Sequence, residues 1–288
     1  MSDRFRTFSE RKVRDAESAV LTPLVTIEDC AGDGWIGIGN RWTRGLYDGP
    51  FYVAAESGAD GACAPLVSLV FVQSRDGNTG AANPGDLGGG PADQHLIYEG
   101  LSRVAADGVM AGAKTVDGDE VFFSVWHPQL VSLRQELGLP RHPAQIVVTG
   151  SGCVDLDRSL VFNVPAVPVF ILANRDGCAR LEAAAARRPH IELVPVPGTD
   201  LRPGLEYLRR ARGIRRISAI GGRTTASALI DEGLVQDLTL TTSARAGGDP
   251  HTPFYVGKTS PALTRIVRKR GTDPAYPMEV TQSLIANP

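Results

Sequence analysis

The chain has 288 residues, 42% of them hydrophobic, with a formal net charge of -2 and a pI of about 6.2. A chain of this length buries a sizeable core, and its charge balance argues against a nucleic-acid-binding surface. No apolar run approaches the ~20 residues of a membrane-spanning helix, and the charged N-terminus lacks the apolar core of a secretory signal. These features favour a soluble cytoplasmic enzyme or small-molecule-binding protein.

The cysteines and histidines give no sign of a metal site or a disulfide framework. The four cysteines are far apart in the sequence and include no Cys-x-x-Cys pair: Cys30, Cys63, Cys153 and Cys178. The five histidines show no ligand spacing either. We therefore predict reduced thiols in a reducing compartment and no bound metal.

Residues 1–60 are predicted to form an N-terminal extension, and residues 61–288 the main domain. The first 17 residues are polar and indicate a frayed end or a short helix. Residues 19–27 and 51–55 are predicted as strands, and the segment GWIGIGNRW between them as a loop. The segment GADGACAP at residues 58–65 has the composition of a linker.

The extension is rich in aromatic residues, which we expect to pack on the main domain or on a second subunit: Trp35, Trp42, Tyr47, Phe51 and Tyr52. The simpler interpretation is an arm that only stabilises the domain. The alternative is an arm that also covers the active site.

The main domain begins with the continuous apolar run LVSLVFV at residues 66–72, which predicts a buried central strand. That strand carries Ser74, Asp76 and Gly77 to its carboxyl end, the edge at which open α/β sheets bind ligands. The glycine-rich residues 78–91 follow. We predict that they form no regular element and act as a mobile lid over the site.

Strands and helices then alternate through residue 242. The predicted strands are residues 108–113, 146–149, 167–173, 191–196, 217–220 and 235–240. The predicted helices are residues 92–106, 126–137, 181–188 and 203–212, with another opening at residue 223. Residues 263–269 and 278–285 alternate as two strands of a hairpin. The pattern predicts an α/β fold with a mixed, mostly parallel sheet, helices on both faces and a C-terminal antiparallel hairpin.

The strand at residues 217–220 ends in the paired glycines Gly221 and Gly222, which lead directly into a helix. A helix N-terminus offers free N–H groups and the positive end of the helix dipole, and glycine lets a phosphate approach the backbone. The helix is opened by Arg223, Thr224 and Thr225. This arrangement favours a phosphate or pyrophosphate site, and the alternative is an ordinary turn in which the glycines only permit tight packing.

Three segments in order carry a resemblance to a known family: SRDG at residues 74–77, SRVAADGVMAGAKTV at 102–116, and IGGRTTASALIDEGLVQDLTLT from residue 220. Together they resemble the reductase domain of the riboflavin-biosynthesis deaminase–reductase, which has the dihydrofolate reductase fold. The resemblance covers about residues 65–255. The chain carries no deaminase zinc motif.

The resemblance implies an NADPH-dependent reductase that is usually a homodimer, with the C-terminal strands in the subunit contact. The residues that match the family's cofactor contacts are Thr115, Asp119, Ser151 and the run 221–227. Arg175, at a strand end, is expected to pair with the cofactor 2′-phosphate, and a solvated loop arginine is the alternative. Thr115 also has an alternative, as a structural turn residue.

The substrate half departs from the family pattern. The glutamate that precedes the paired glycines in the riboflavin enzymes is Ile220, the common first-strand lysine is Val70, and the expected arginine falls on Trp126. Arg103 remains as an anion or carbonyl contact. We therefore expect a flatter, more apolar ligand, contacted by Ser74 and by Arg103, Trp126 and Ile220, because lost polar partners cost ~1–3 kcal/mol each.

Hydride transfer requires close, dry positioning more than acid–base chemistry. Asp76 and Asp119 are the carboxylates predicted to relay a proton, although Asp before Gly is also a favoured turn pair. The leading hypothesis is a reductase resembling 5-amino-6-(5-phosphoribosylamino)uracil reductase. The alternatives are a reductase of a pterin-like or specialised heterocycle, and a non-catalytic nucleotide- or flavin-binding relative.

Overall fold

The structure is a computed structural model that describes residues 3–56, 63–81 and 84–286. Its helices are α1 (Asp3–Ser18), α2 (Arg41–Tyr47), a π-helix (Ala92–Leu101) continued by α3 (Ser102–Val104), α4 (Ala113–Val116), α5 (Pro128–Glu136), α6 (Arg175–Ala185), α7 (Arg202–Arg212) and α8 (Arg223–Asp231). Short 3₁₀ turns lie at Pro84–Leu87 and Leu160–Phe162. Its strands are β1 (Leu24–Asp29), β2 (Trp35–Ile38), β3 (Phe51–Ala54), β4 (Leu66–Gln73), β5 (Gly108–Gly112), β6 (Ala144–Thr149), β7 (Val169–Ala173), β8 (Ile191–Pro195), β9 (Arg216–Ile220), β10 (Val235–Ser243), β11 (Ala262–Gly271) and β12 (Met278–Ala286).

One large sheet organises the described residues, with the strand order β1-β11-β12-β10-β4-β9-β5-β6-β7-β8. The strands from β10 to β8 in this order are parallel to one another, and β12, β11 and β1 pair antiparallel at the other edge. The mixed, mostly parallel sheet and the antiparallel hairpin of β11 and β12 confirm the predicted fold class.

The central strands are apolar on both sides because both faces of the sheet are covered. In β4, Leu69 and Phe71 pack in a cluster with the buried side chains of α7 and α8. Val70, between them, points to the opposite face and packs with Phe123 and with Leu181 of α6. Alternate side chains of β4 therefore belong to two separate apolar clusters, one on each face of the sheet. For this reason a strand that is buried on both faces has a continuous apolar sequence.

The predicted helix at residues 181–188 begins earlier than expected, at the first residue after Asn174. The side chain of Asn174 caps α6 by accepting a hydrogen bond of 2.8 Å from the N–H of Gly177. Asparagine is a preferred N-cap residue, because its side-chain oxygen satisfies one of the first free N–H groups. The capping signal, more than the apolar pattern, sets the start of this helix.

The N-terminus forms a long helix rather than a frayed or short one. On α1, Phe5 is 1% exposed and its ring centroid lies 4.8 Å from that of Phe122. Phe8 packs edge-on against Trp126 at 5.6 Å. The helix is polar in composition but buries a narrow apolar stripe, which is enough to attach it to the domain.

The predicted loop GWIGIGNRW is wrong, because it contains β2 and the start of α2. β2 pairs with β3 in a separate two-stranded antiparallel sheet, and α2 lies between the two strands in the chain. Asn40 and Thr43 form a capping box at the start of α2, each side chain accepting from the other's backbone N–H at 2.9 and 2.8 Å.

The extension is joined to the large sheet through both backbone and side chains. β1 pairs with β11 at the edge of the sheet. Lys269 of β11 is buried, and its Nζ donates to Thr26 Oγ1 at 2.7 Å and to the carbonyl of Asp48 at 2.9 Å. Gln282 donates to the carbonyl of Tyr52 at 2.9 Å. The division at residue 60 and most of the predicted linker lie outside the described residues and stay predictions.

The described part of the glycine-rich segment, residues 78–81 and 84–91, contains a 3₁₀ turn at Pro84–Leu87, so the prediction of no regular element is wrong. The glycines after it make close contacts that other residues could not. A Cβ on Gly89 would lie 2.7 Å from the Asp93 carboxylate, and one on Gly90 would lie 2.4 Å from the Tyr276 ring. The segment is therefore packed closely over the sheet edge, and its movement as a lid remains a prediction.

Candidate active site

The parallel strands bring several of the predicted site residues to one edge of the sheet. β4, β9, β5, β6 and β7 are neighbours in this order, and their carboxyl ends point the same way. The residues that follow these ends are Ser74, the pair Gly221 and Gly222, Thr115, Ser151 and Arg175. Such an edge is the usual ligand site of an open α/β sheet.

The turn between β9 and α8 is an open cradle. Gly221 and Gly222 have φ values of 65° and 78°, a conformation that favours glycine. A Cβ on Gly221 would lie 3.7 Å from the Thr115 side chain, and one on Gly222 would lie 3.7 Å from Thr225 Oγ1. Gly222 is the N-cap of α8 and gives it no side-chain hydrogen bond. The first N–H groups of α8 are therefore without a side-chain cap, and the two threonines border the space in front of them.

This cradle fits a phosphate or pyrophosphate group, because uncapped N–H groups and the helix dipole both favour an anion there. Arg223 and Thr224 lie at the start of α8, half-buried and exposed respectively. The fit is to the phosphates of a dinucleotide, which is the group that the family resemblance implies.

Ser151 and Arg175 lie farther along the same edge, both exposed. The loop that carries Ser151 is pressed onto the start of α6, since a Cβ on Gly152 would lie 2.5 Å from the carbonyl oxygen of Gly177. Arg175 is the first residue of α6. Both side chains are placed where solvent and ligands reach them.

Ser74 and Asp76 serve the turn that follows β4. Ser74 is 1% exposed, and its Oγ accepts from the N–H of Asn78 at 3.3 Å. Asp76 is exposed, and its Oδ2 accepts from the N–H of Gly247 at 3.0 Å. Asp76 therefore ties this turn to the loop after β10, which is the structural alternative considered for it.

Asp119 forms ion pairs with two arginines. Its Oδ1 lies 2.9 Å from Arg158 Nε and 3.3 Å from Arg4 Nη2, and Arg4 belongs to α1. The carboxylate is exposed and joins the N-terminal helix to the 118–159 region. These ion pairs favour a structural role over the predicted proton relay.

The predicted substrate residues Arg103, Trp126 and Ile220 are buried in the protein core, which argues against a direct contact with a substrate. Ile220 is 0% exposed and packs with Val70 at 3%. Trp126 is 1% exposed beneath α1 and precedes α5, which begins at Pro128 instead of residue 126. The irregular path between α4 and α5 turns this indole inward.

Arg103 is 2% exposed, and its Nε has no hydrogen-bond partner among the described residues. Its Nη1 donates to the carbonyl of Ser124 at 3.0 Å. The guanidinium lies 4.5 Å from the ring centroid of Tyr98 and 5.5 Å from that of Phe123. Its planar charge lies against two aromatic rings in the core, and this burial argues against the predicted anion or carbonyl contact.

Asp93 is a buried acid at the same edge that the sequence reasoning missed. It lies in the first turn of the π-helix, 8% exposed, and burial raises its pKa to about 6. Thr241, near the end of β10, is close enough to lower that pKa in part. The Thr241 hydroxyl is buried and lacks a hydrogen bond of normal geometry among the described residues. A buried acid beside an unsatisfied hydroxyl marks a functional candidate.

A signal for Asp93 was present in the sequence. It stands three residues before Leu96, which is 0% exposed, so both share the inward face of the helix. An acid is rarely buried on such a face unless it is paired, because burying a charged group costs free energy. Gly89 covers Asp93, and Gly88 packs closely against Ser243. The glycine-rich segment thus closes over the carboxyl group.

The described residues include no group of three or more His, Cys, Asp or Glu side chains placed to hold a metal ion. Among the same residues, no helix has both the length and the apolar character needed to cross a membrane.

The strand order and mixed sheet define an α/β protein with the dihydrofolate reductase-like fold. The chain belongs to the RibD C-terminal domain family, whose profile matches residues 65–270. Among curated proteins, none matches the chain in sequence.

Solved structures share the fold at low sequence identity. A pyrimidine reductase-like protein from Corynebacterium diphtheriae superposes with a TM-score of 0.61 at 20% identity, over 78% of this chain and 93% of that one. The riboflavin biosynthesis reductase Rib7 of Saccharomyces cerevisiae gives 0.56 at 18%, over 79% and 93%. RibD of Acinetobacter baumannii gives 0.58 at 17%, over 78% of this chain but only 59% of that longer protein.

Proposed function

We propose that the protein is an NADPH-dependent reductase of a pyrimidine- or pterin-like heterocycle. The observation that carries the proposal is the uncapped N-terminus of α8 behind Gly221 and Gly222, at the carboxyl edge of a sheet whose family consists of reductase domains. Bound NADPH would supply a hydride for reduction of an electrophilic carbon. The cofactor and the reaction are our inference from this geometry and from the family.

The cofactor would be held along the carboxyl edge. The N–H groups at the start of α8 would bind the pyrophosphate, with Thr115 and Thr225 as hydroxyl donors beside it. Ser151 and Arg175 would bind the adenosine end, where the guanidinium is suited to a 2′-phosphate. The exposure of both side chains supports this role.

Asp93 would hold the substrate and its proton. A carboxyl group with a pKa near 6 exchanges a proton with a ring nitrogen close to neutral pH. The unsatisfied hydroxyl of Thr241 would accept or donate a second hydrogen bond to the same ring edge. A heterocycle with adjacent ring N–H and amino groups matches this pair. Asp93 therefore replaces Asp76 and Asp119 as our candidate acid.

The glycine-rich segment would open to admit the substrate and close to exclude water. Its packing against Asp93 and Ser243 supports the closed position. Excluding water strengthens the hydrogen bonds of a buried acid and protects the reacting atoms.

Two classes of substrate are compatible with this proposal. Membership of the RibD C-terminal domain family favours 5-amino-6-(5-phosphoribosylamino)uracil. The buried side chains of Val70 and Ile220 favour a less polar heterocycle, because they offer that ligand's sugar and phosphate no partners. A pterin, recognised through its amino-pyrimidine edge at Asp93, fits the second case.

We also propose a homodimer, as the family resemblance implies. The exposed apolar side chain of Leu284, on β12, supports a contact through the C-terminal hairpin. Light scattering after gel filtration tests it: we expect a dimer, and a monomer at micromolar concentration would contradict it.

The test of the function is NADPH oxidation by the purified protein with each heterocycle in turn. We expect oxidation with a ribosylaminouracil phosphate or with a dihydropterin, and the active one identifies the substrate class. The same assay with Asp93→Asn should show NADPH binding without turnover. Cofactor binding with no oxidation across the panel would support a non-catalytic relative, and failure to bind NADPH would contradict the reductase proposal.

A further inference from the structure

A second concave surface lies beside the cofactor edge and is used by none of the roles above. It is an open cleft of about 620 Å³ between α4, the loop 152–159 and α6. Its floor is apolar, with Val116, Leu156 and Leu181 from the sheet-face cluster. A cleft of this volume is large enough for a small peptide or a drug-sized molecule.

Cys153 lies at the wall of this cleft and is exposed. Its Sγ accepts a hydrogen bond of 2.9 Å from the cationic Nη1 of Arg180, which lies in α6. Ser151 and then Arg180 lower the pKa of the Cys153 thiol. An exposed thiol beside a guanidinium is in the setting in which thiolates form and react.

Cys30 gives a comparison within the same chain. It is also exposed, but its thiol donates to the carboxylate of Glu28 at 3.5 Å, and this contact raises its pKa. An acidic neighbour disfavours the thiolate, whereas a cationic neighbour favours it. Cys30 and Cys153 therefore differ in electrostatics much more than in access.

Ser159 supplies an independent sign of a ligand in this cleft. It is among the lining residues and only 1% exposed, and its Oγ has no hydrogen-bond partner among the described residues. A buried hydroxyl left unsatisfied costs free energy that a ligand's polar group would recover. The cleft thus offers an unused hydrogen bond in addition to the thiol.

We infer that Cys153 is a thiol-modification site, which forms a reversible mixed disulfide with a low-molecular-weight disulfide held in this cleft. The Cys153 thiolate attacks one sulfur of the disulfide, so that one S–S bond forms and the original S–S bond breaks. The departing thiolate leaves with the electron pair and takes a proton from water, and no other oxidant is needed.

The charges of the cleft indicate a zwitterionic disulfide of the kind formed by oxidised glutathione. Cationic and acidic side chains both line it: Lys114, Arg180, Asp117, Asp155 and Asp157. Asp157 is already paired with Arg188, which does not line the cleft. The positive charges of Lys114 and Arg180 are therefore opposed mainly by Asp117 and Asp155. Carboxylate and ammonium groups of one small peptide would both find partners here.

Modification would also affect the proposed cofactor site, and this consequence rests on the proposed function. Cys153 follows Ser151 by two residues, and its backbone N–H donates to Ser151 Oγ at 3.3 Å. A peptide attached to Cys153 would occupy the space beside Ser151. We expect NADPH affinity to fall on modification and to return on reduction.

The test is the rate of reaction with a chromogenic aromatic disulfide and with oxidised glutathione at pH 7. In the unmodified protein we expect one thiol to react faster than the rest. Cys153→Ser should abolish this fast phase, whereas Cys30→Ser should retain it. Mass spectrometry after limited treatment should place a single glutathionyl group on Cys153.

Arg180→Met tests the electrostatic cause because it removes the charge and keeps an unbranched apolar stem. We expect the fast phase to slow by at least about threefold, because the lower thiolate fraction is only partly offset by greater nucleophilicity. Arg187→Met, an exposed arginine just beyond α6, is the matched control and should leave the rate unchanged.

A fast phase that survives in Cys153→Ser, or a rate unaffected by Arg180→Met, would overturn the inference. These readouts need no cofactor, so they stand apart from the reductase proposal. If Cys153 reacts first but modification leaves NADPH affinity unchanged, the link to the cofactor site is wrong and the modification site remains.

Discussion

Asp93 is a buried acid whose pKa is raised by its burial. Its pKa of about 6 arises because the protein removes its carboxyl group from water, while Thr241 compensates only in part. A carboxyl group in this state is protonated in mildly acidic solution and still able to donate near neutrality. This single position allows the strongest test of the proposed acid.

For Asp93→Asn we expect kcat to fall on the order of 10²- to 10⁴-fold, because the amide cannot supply a proton. In the unmodified enzyme, kcat should decrease about tenfold per pH unit above pH 6, since the acid form is the donor. The exposed Glu136→Gln is the matched control and should retain full activity. An unchanged pH profile in Asp93→Asn would contradict the assignment.

Asp237 is a second buried acid, and it tests stability instead of catalysis. It is 1% exposed, and burial raises its pKa from 3.8 to about 6, even though Ser68 donates at 2.7 Å and Gln282 at 3.0 Å. Because the folded-state pKa is the higher one, its protonated form stabilises the fold. That stability is complete below about pH 4 and is lost as the pH rises through about 6.

We therefore expect Asp237→Asn to become more stable relative to the unmodified protein as the pH rises. The difference in the free energy of unfolding should grow by about 2 kcal/mol between pH 4 and pH 8. Urea denaturation at both pH values measures it. A difference that stays constant with pH would show that Asp237 ionises in the fold as freely as in the unfolded chain.

At the scale of elements, the turn between β9 and α8 should show the effect of a single Cβ. Gly222→Ala would place a methyl group 3.7 Å from Thr225 Oγ1, in front of α8, at a φ of 78°. We expect a loss of about 1 kcal/mol in the free energy of unfolding from backbone strain. NADPH affinity should fall at least tenfold, because the methyl group occupies the phosphate position.

Gly213→Ala is the matched control for that variant. Gly213 ends α7 at a φ of 67°, with no atom within 4 Å of its Cβ position. It should lose similar stability and keep full NADPH affinity, as calorimetric titration can determine. Equal loss of affinity in both variants would assign the effect to strain and remove the phosphate site.

The sequence predicted the elements whose signals are local. The parallel strands were found because strands buried on both faces read as apolar runs, as in residues 66–72. The glycine turn at Gly221 and Gly222 was found because glycine marks positive φ. The start of α6 was placed late, because its cap at Asn174 is a hydrogen bond and the apolar pattern begins only at Leu181.

The burial of the site residues depends on tertiary contacts. Trp126 has the chemistry of a ligand contact, but the irregular chain between α4 and α5 carries it into the core. Arg103, in α3, is covered by Tyr98, Phe123 and Ser124. Asp93 has the chemistry of a surface acid, but the glycine-rich segment and β10 bury it. No spacing in one sequence reports which long-range neighbour will cover a side chain.

At the scale of the whole molecule, the polar helix α1 closes one side of the domain. It contributes Phe5 and Phe8 to an apolar cluster with Trp126, and its Arg4 pairs with Asp119. The N-terminal extension therefore stabilises the domain from two sides, since β1 also joins the large sheet. This supports the simpler interpretation of the extension as a stabilising arm.

Phe5→Ala should lower the free energy of unfolding by about 3–5 kcal/mol, because it removes a ring that is 1% exposed. The exposed Glu10→Ala on the same helix should change it by less than about 0.5 kcal/mol. Urea denaturation followed by tryptophan fluorescence measures both and also reports on Trp126. A loss below about 1 kcal/mol for Phe5→Ala would mean that α1 is not attached as described.

The central claim is that the carboxyl edge of this sheet binds NADPH. The measurement that tests it most directly is a calorimetric titration of the purified protein with NADPH and with NADH. We expect NADPH to bind at least about tenfold more tightly, with the difference reduced in Arg175→Met, since a charge-assisted contact to the 2′-phosphate contributes roughly 1.5–3 kcal/mol. If neither nucleotide binds, the α8 cradle holds no cofactor and the reductase proposal is wrong.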